Sequence, residues 1–315
     1  MAMVTRAEAV SMADAHPPRL GIALGSGAAR GWAHIGVLQA LAEAGIVPDV
    51  VSGTSIGAMV GAAYASSRLA ALQEWVLLID WWKILRYMDV RLVGVGGERL
   101  MEAFGERVGD ALIETLPRPF GAVATDLYTG REVWLQHGSL REAVRASIAL
   151  PGLFSPVQRH GRWLVDGGLV DPLPVSLCRA MGAEQVIAVN LNGDIVGKHF
   201  NHRPPRQAES NPLLARLSAG LQAVLGSGDA PQKAEGKEPP GVFDVMAGSI
   251  NIMQDRITRA RLAGDPPDIV LAPRLAHLGL MDFDQAAEAI EAGAECVRLH
   301  LPLLRNLLNL PEVEA

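Results

Sequence analysis

The feature that most constrains the fold is a pair of strand–turn–helix units within about fifty residues. An apolar strand, Arg19–Leu24, runs into the glycine-rich turn Gly25–Gly31, and helical spacing of apolar residues follows over Trp32–Ala44. A second apolar strand, Val47–Val51, leads through Gly53–Gly57 into a helix of small residues. Strands that alternate with helices are typical of a parallel sheet covered by helices. The sequence therefore predicts an α/β protein with a mostly parallel sheet.

Composition and charge narrow the class of protein. The chain has 315 residues, of which 49% are hydrophobic, enough for a large core. Its net charge of −6 argues against a nucleic-acid partner and gives no overall attraction to anionic lipid, so any membrane contact would be local. Cys178 and Cys296 lie far apart, without metal or redox spacing, and are predicted to be small core residues in a reducing cytoplasm.

Membrane and targeting signals are weak. We find no run of about 18 uncharged apolar residues, and residues 1–18 lack the apolar core of a secretion signal. These observations predict a cytoplasmic protein and leave open peripheral contact with the inner face of the membrane. The Trp-rich segment Leu69–Met88 is predicted to be a helix, either packed in the core or facing lipid as a lid.

The domain organisation follows shifts in composition. Residues 192–241 are rich in Pro, Gly and polar residues and are predicted to be an insertion, while Asp268–Ala272 is predicted to add a last strand to the same sheet. The predicted division is a flexible segment 1–18 and one domain 19–315, with core motifs in 19–195, the insertion at about 192–241 and C-terminal helices in 242–315.

The sequence Gly53-Thr54-Ser55-Ile56-Gly57 has the G-x-S-x-G form of a nucleophile elbow. A serine at such a turn projects its hydroxyl from the edge of the sheet. Gly53 and Gly57 fit because a side chain at either position would crowd the turn. A serine that only caps the following helix is the alternative, but a cap does not require glycines on both sides.

The glycine-rich turn offers several free backbone N–H groups at the start of a helix. Such groups bind phosphate or form an oxyanion hole. A dinucleotide fingerprint is disfavoured, because the G-x-G-x-x-G spacing from Gly25 would need glycine at Arg30 and the frame from Gly27 also fails. A tight turn with no functional role remains an alternative.

A third motif, Asp166-Gly167-Gly168, follows the short strand Arg162–Val165. It is either an ordinary Asp-Gly turn or the source of the base that a serine nucleophile needs. In the hydrolase order a histidine base would follow the acid, and the candidates there lack supporting motifs: His199, His202, His277 and His300. An aspartate that acts directly on serine is the remaining arrangement.

These elements, in this order, resemble the patatin-like phospholipase family. The match is to its bacterial esterase branch, which is similar to the catalytic domains of neuropathy target esterase, and it covers about Arg19 to Leu191. The strings that carry it are Leu24–Leu38, Gly53–Gly57, Arg145–Ser147 with Pro151–Phe154, and Val165–Gly168.

The resemblance implies a three-layer α/β/α hydrolase with a Ser–Asp dyad and no histidine. Carried over, Ser55 is the nucleophile, Asp166 the general base and the backbone of the glycine-rich turn the oxyanion hole. The implied oxyanion and substrate-binding residues are Gly25, Ser26, Gly27, Ala28, Ala29, Arg30, Gly31 and Ile56, with Gly53, Gly57, Gly167 and Gly168 in support.

One departure concerns the three consecutive glycines usual in the family, where this chain has Ser26, Gly27 and Ala28. Backbone donors survive these replacements, and which amide faces the oxyanion stays open. Arg30 is expected to steady the loop, to lie near a phosphate, or to form a structural ion pair.

The expected activity is lipid acyl hydrolysis of the phospholipase A or lysophospholipase type, on phospholipid, lysophospholipid or another fatty-acyl ester. No cofactor or metal is expected, since the acidic residues are scattered. Acyl transfer with the same dyad and a catalytically silent lipid-binding protein are the alternatives. Self-association into a homo-oligomer stays open.

Overall fold

The computed structural model describes residues 18–79, 97–193 and 242–310. Most of the predicted insertion (194–241) and the predicted N-terminal segment up to residue 17 lie outside them. Within the described ranges, eight strands form one sheet: β1 (Leu20–Leu24), β2 (Val50–Thr54), β3 (Phe120–Asp126), β4 (Glu132–Leu135), β5 (Val157–Arg159), β6 (Arg162–Asp166), β7 (Gln185–Val189) and β8 (Ile269–Leu271).

Eight α-helices connect and cover these strands in the described ranges: α1 (Ala33–Glu43), α2 (Ile56–Ala65), α3 (Leu69–Leu77), α4 (Glu98–Val108), α5 (Leu140–Ser147), α6 (Val175–Ala180), α7 (Val242–Gly264) and α8 (Ala286–Leu307). Short 3-10 turns lie at Ala28–Trp32, Ile113–Thr115 and Gly167–Leu169. The glycine-rich turn therefore leads into a 3-10 turn before α1 begins.

The sheet is mixed but mostly parallel in its centre. β1 pairs in parallel with both β2 and β7, β2 with β3, and β7 with β8. Antiparallel pairs occur at the other side, where β3 meets β4 and β6, and β6 meets β5. The predicted last strand is present as β8, and β3 and β4 form an antiparallel hairpin.

Side chains that alternate along the central strands fill two separate cores. Ile22 and Leu24 of β1 join the larger core with α1, α2 and α8. Ala23 points the other way and packs with Val175 and Cys178 of α6 in a smaller core. Helices therefore cover both faces of the sheet, and the predicted three-layer α/β/α class is confirmed.

Two boundaries differ from the prediction. β2 begins at Val50 instead of Val47, because Pro48 has no N–H to donate to a strand ladder. The helix predicted over Leu69–Met88 is described only to Leu77; Trp75 is buried in the core, while Trp81 and Trp82 lie outside the described residues.

The register of β3 explains how distant parts of the chain meet. Along one edge of β3, Val123 pairs with Thr54 at the end of β2, and the next residue, Ala124, pairs with Asp166 at the end of β6. β2 runs parallel to β3 and β6 runs antiparallel to it, so their carboxyl ends meet. β4 occupies the opposite edge. The residues that follow β2 and end β6 are therefore neighbours.

We predict that Gly57→Ala lowers the free energy of unfolding by about 1–3 kcal/mol, the usual cost of an overpacked buried site. A Cβ at Gly57 would overlap the carbonyl oxygen of Leu24, which belongs to the backbone of β1 and cannot rotate away. Urea unfolding measures the change. Gly264→Ala is the control, because nothing lies near a Cβ there; equal effects of the two substitutions would contradict the prediction.

Candidate active site

Ser55 lies on a strained turn between β2 and α2. Its backbone has φ 57° and ψ −125°, a conformation that costs a non-glycine residue about 1–3 kcal/mol. The turn is held by Ser147 of α5, whose hydroxyl accepts a hydrogen bond from the Ser55 N–H (2.9 Å) and donates one to the Val123 carbonyl (2.6 Å). Ser147 thus ties the elbow to β3.

The hydroxyl of Ser55 points to Asp166. Its Oγ donates to Asp166 Oδ2 at 2.6 Å, and the second carboxylate oxygen, Oδ1, accepts the Gly168 N–H at 2.7 Å. Thr125 of β3 donates to the Asp166 carbonyl at 2.8 Å. Ser55 occupies the N-cap position of α2, but its hydroxyl makes no capping hydrogen bond. The geometry therefore disfavours a purely capping serine.

Burial sets the acidity of the aspartate. The Asp166 side chain has only 1% of its surface exposed, and this burial raises its pKa from 3.8 to about 6, although hydrogen bonds from Ser55 and Gly168 act in the opposite direction. A carboxyl with such a pKa is ionised at neutral pH but accepts a proton more readily than an exposed aspartate does.

The histidines considered from the sequence have other partners. His277 contacts Glu288 at 3.0 Å, and Nδ1 of His300 contacts the Cys296 carbonyl at 2.8 Å. His199 and His202 lie outside the described residues. Within the described ranges, no histidine is hydrogen-bonded to the Ser55 hydroxyl.

Most amides of the glycine-rich turn are already bonded to carbonyl oxygens: Gly25 to Val189 (3.1 Å), Ser26 to Pro172 (2.8 Å), Ala29 to Leu280 (3.1 Å) and Arg30 to Gly27 (3.2 Å). The N–H groups of Gly27 and Ala28 have no acceptor among the residues that the structure describes. Ala28 has a positive φ of 49°, the backbone conformation that glycine adopts most easily.

A further free donor lies beside the serine. The N–H groups of Ala58 and Met59 in α2 donate to the Ser55 carbonyl (2.9 and 3.3 Å), whereas the Ile56 N–H at the start of that helix has no acceptor in the described part of the chain. Ala28, Ser55 and Ile56 line the same pocket. Free donors from both motifs therefore border the serine.

Arg30 and His34 hold the glycine-rich turn from behind. Arg30 is fully buried; its Nε donates to the Gly27 carbonyl (3.4 Å) and its NH2 group donates to Oδ1 of Asn251 in α7 (2.8 Å). Burial lowers the Arg30 pKa to about 9, against the opposing attraction of Asp282. Of the roles that the sequence left open for Arg30, these contacts favour steadying the loop.

His34 is neutral, because burial lowers its pKa to about 4. Its Nε2 lies 2.8 Å from the Gly25 carbonyl oxygen, and since that oxygen is an acceptor, Nε2 carries the hydrogen. The first turn of α1 thereby fixes the beginning of the glycine-rich turn.

Three polar residues that support the site were missed in the sequence: Asn192, Asn251 and Gln254. Ser147 lies within a string that carries the family resemblance, but its role was not assigned from the sequence. Asn192 donates to the Ser26 carbonyl (3.4 Å) and to Oε1 of Gln254 in α7 (3.1 Å). The spacing of Asn251, Gln254, Asp255 and Thr258 places polar residues on one helix face, a signal that could have indicated a buried polar contact.

An apolar pocket opens in front of Ser55. Apart from Ser55, the described side chains that line it are all apolar: Ala28, Trp32, Ile56, Met59, Ile79, Leu100, Ile148, Leu150, Leu153, Phe154, Met281 and Phe283. Such a pocket accommodates a hydrocarbon chain and leaves charged groups outside.

Within the described ranges, no group of three or more His, Cys, Asp or Glu side chains is arranged to hold a metal ion. Likewise, none of the described helices has the length and hydrophobicity needed to cross a bilayer.

Comparison with known proteins identifies the family. A patatin-like phospholipase family model matches residues 22–179. An uncharacterized NTE family protein of Mycobacterium tuberculosis is 34% identical over 88% of this chain and 89% of its own length. A lysophospholipase of Emericella nidulans is 27% identical over 93% of this chain, which spans 19% of that protein. The crystal structure of VipD from Legionella pneumophila aligns over 92% of this chain and 67% of its own, with a TM-score of 0.47 and 13% identity.

The family match and the mycobacterial relative together place this chain in a class of lipid hydrolases. The chain belongs to the patatin-like phospholipase family, as the three motifs predicted.

We predict that Asn251→Ala lowers the free energy of unfolding by about 1–3 kcal/mol, because it removes a partner from the buried Arg30 guanidinium. Chemical denaturation measures the effect. Ser249→Ala on the exposed side of the same helix is the matched control, since Ser249 bonds only the Val245 carbonyl of its own helix. If the two variants are equally stable, the Arg30–Asn251 bond does not hold the turn.

Proposed function

We propose that this chain hydrolyses fatty-acyl esters of lipids, with Ser55 as nucleophile and Asp166 as general base. The observation that supports this most directly is the 2.6 Å hydrogen bond from Ser55 Oγ to Asp166 Oδ2 at the edge of an apolar pocket. A nucleophile activated by an adjacent base is the arrangement that covalent acyl transfer requires.

In the first half of the reaction, Ser55 Oγ attacks the ester carbonyl carbon and its proton passes to Asp166. The oxyanion that develops is stabilised by the N–H groups of Gly27, Ala28 and Ile56, which have no other acceptor in the described part of the chain. The carbon–oxygen bond to the alcohol then breaks, and the leaving alcohol takes the proton from Asp166. An acyl-serine remains.

In the second half, water attacks the acyl carbon and gives its proton to Asp166. The bond between the acyl carbon and Ser55 Oγ breaks, and the serine recovers its proton from Asp166 as the fatty acid leaves. One carboxyl therefore serves as base and acid in both halves. The bond from Gly168 to Oδ1 keeps Oδ2 directed at the serine throughout.

The apolar lining of the pocket favours a substrate that places a hydrocarbon chain beside Ser55. Its lack of charged side chains within the described ranges favours a polar group that stays outside. Phospholipids, lysophospholipids and other fatty-acyl esters all meet this requirement, and the fungal relative is named a lysophospholipase. Product analysis with a competing lipid alcohol separates hydrolysis from acyl transfer, because only transfer yields a new ester.

Ser55→Ala is expected to reduce turnover of a p-nitrophenyl acyl ester by at least about 10³-fold, since no other group can form the acyl-enzyme. Labelling of the protein by a fluorophosphonate should be lost as well. Ser66→Ala, at the end of the same helix, is the control and should retain both. Retained turnover and labelling in Ser55→Ala would contradict the proposed nucleophile, and absent labelling of the unmodified chain would favour a silent lipid-binding protein.

The pH dependence of kcat/KM should reveal the pKa of the Asp166 carboxyl. Because burial raises its pKa to about 6, the carboxyl is protonated below that pH and cannot accept the serine proton. We expect kcat/KM to rise with pH along one limb centred near pH 6, whereas an exposed aspartate would place the limb near about 4.

Asp171 is the control for this assignment, because it is a second buried carboxyl whose pKa burial raises to about 6. The variant Asp171→Asn should keep the limb where it is in the activity that remains. Loss of the limb in Asp171→Asn would show that Asp166 does not cause it.

A further inference from the structure

The helix α7 distributes its side chains in the opposite way to an ordinary surface helix, with apolar ones exposed and polar ones buried. Its exposed face carries large apolar side chains that are 45% to 50% exposed: Val245, Met246, Ile252 and Met253. Its buried face carries polar ones: Asn251, Gln254, Asp255 and Thr258. Exposed apolar patches and buried polar groups are the informative exceptions to normal burial, and α7 has both.

Helical geometry shows that the two sets are separate faces. At about 100° per residue, the exposed residues from Val245 to Arg256 fall within an arc of about 120°, and Asn251, Gln254, Asp255 and Thr258 lie on the opposite side. The apolar residues on this face form two pairs, Val245 with Met246 and Ile252 with Met253, separated by the exposed Ser249. We call these four apolar residues the outer stripe.

The outer stripe begins beside the pocket. A Cβ added to Gly152 would lie 3.4 Å from Met246 Cε, so the Met246 side chain reaches the loop that contains Gly152. Leu150, Leu153 and Phe154 of that loop line the pocket. The apolar surface of the stripe is thus continuous with the wall along which an acyl chain would reach Ser55.

Positively charged side chains follow the outer stripe along α7. Arg256 and Arg259 are exposed one and two turns beyond Ile252, and Arg259 is paired with Asp255 of the buried face at 2.8 Å. An apolar stripe followed by arginines on the same face suits an anionic lipid surface, where acyl chains lie next to phosphate groups. The net charge of −6 makes this a local attraction.

The area of the outer stripe favours lipid over a second copy of the chain. From Val245 to Arg256 the helix is about 18 Å long and about 10 Å wide. A stable protein interface needs about 800 Å² on each partner, several times the footprint of one such helix face. A bilayer does not impose that requirement, because one helix face can bind it reversibly.

We propose that the outer stripe of α7 docks on a lipid bilayer and places the mouth of the pocket against the membrane. The choice of lipid as the occupant rests on the proposed function, which requires lipid substrates. The polar face of the same helix bonds Arg30 and Asn192, both of which bond the glycine-rich turn, so the docked helix is in direct contact with residues that hold the site.

The test is the full-length double variant Ile252→Glu/Met253→Glu with vesicles of phosphatidylglycerol and phosphatidylcholine. We expect at least a tenfold loss of co-sedimentation and a similar loss of turnover of an ester carried in the vesicles. Turnover of soluble p-nitrophenyl butyrate should not change, since neither residue lines the pocket. Leu299→Glu/Leu303→Glu is the matched control on α8, where both leucines are 62% exposed.

Unchanged co-sedimentation of Ile252→Glu/Met253→Glu would overturn the proposal. In that case, a changed sedimentation coefficient would identify a second copy as the occupant, and altered proteolysis within residues 194–241 would identify that segment of the chain. If the double variant melts at a lower temperature than the unmodified chain, Ile252→Ser/Met253→Ser replaces it.

Ser55→Ala separates this proposal from the proposed function. Its co-sedimentation should equal that of the unmodified chain, while its turnover is lost. Full turnover by Ser55→Ala would refute the proposed nucleophile and leave the vesicle result for α7 interpretable on its own.

Discussion

The meeting of β2 and β6 along one edge of β3 is the constraint on which the site depends. Ser and Asp have short side chains, so a 2.6 Å hydrogen bond between them requires backbones that are already adjacent. The pairing of Thr54 with Val123 and of Asp166 with Ala124 supplies that adjacency from the sheet itself. A slip of one residue would turn Asp166 to the other face of the sheet and remove the contact.

The glycine-rich turn, in contrast, depends on side chains from far along the chain. His34 bonds its first carbonyl, Asn192 its second, and Arg30 links it to Asn251. Each of these groups is buried, where a polar group without a partner is costly. The bonds from His34, Asn192 and Arg30 therefore hold the turn in one conformation, and the two free donors at Gly27 and Ala28 keep a fixed direction.

The sequence could predict features that depend on neighbouring residues, but not contacts between residues that are far apart in the chain. The helix predicted over Trp32–Ala44 is observed over Ala33–Glu43, because the periodicity of apolar residues is a local signal. The roles of Asn251 and Gln254 could not be read in advance: their partners lie 221 and 62 residues away, and no local pattern encodes such pairs. Ser147 was part of a recognised string, but its bond to the Ser55 backbone becomes visible only once α5 packs beside β3.

The burial of Asp166 also affects the stability of the fold. Its pKa is higher in the folded chain than in an unfolded one, so its contribution to stability is fully present below about pH 4 and is lost as pH rises through about 6. At neutral pH the folded state carries an ionised carboxylate away from water, a penalty of about 3 kcal/mol for a shift of about two pKa units. The register of β3 and the packing of two cores must outweigh that penalty, so the ionised Asp166 is a source of instability that the rest of the molecule compensates.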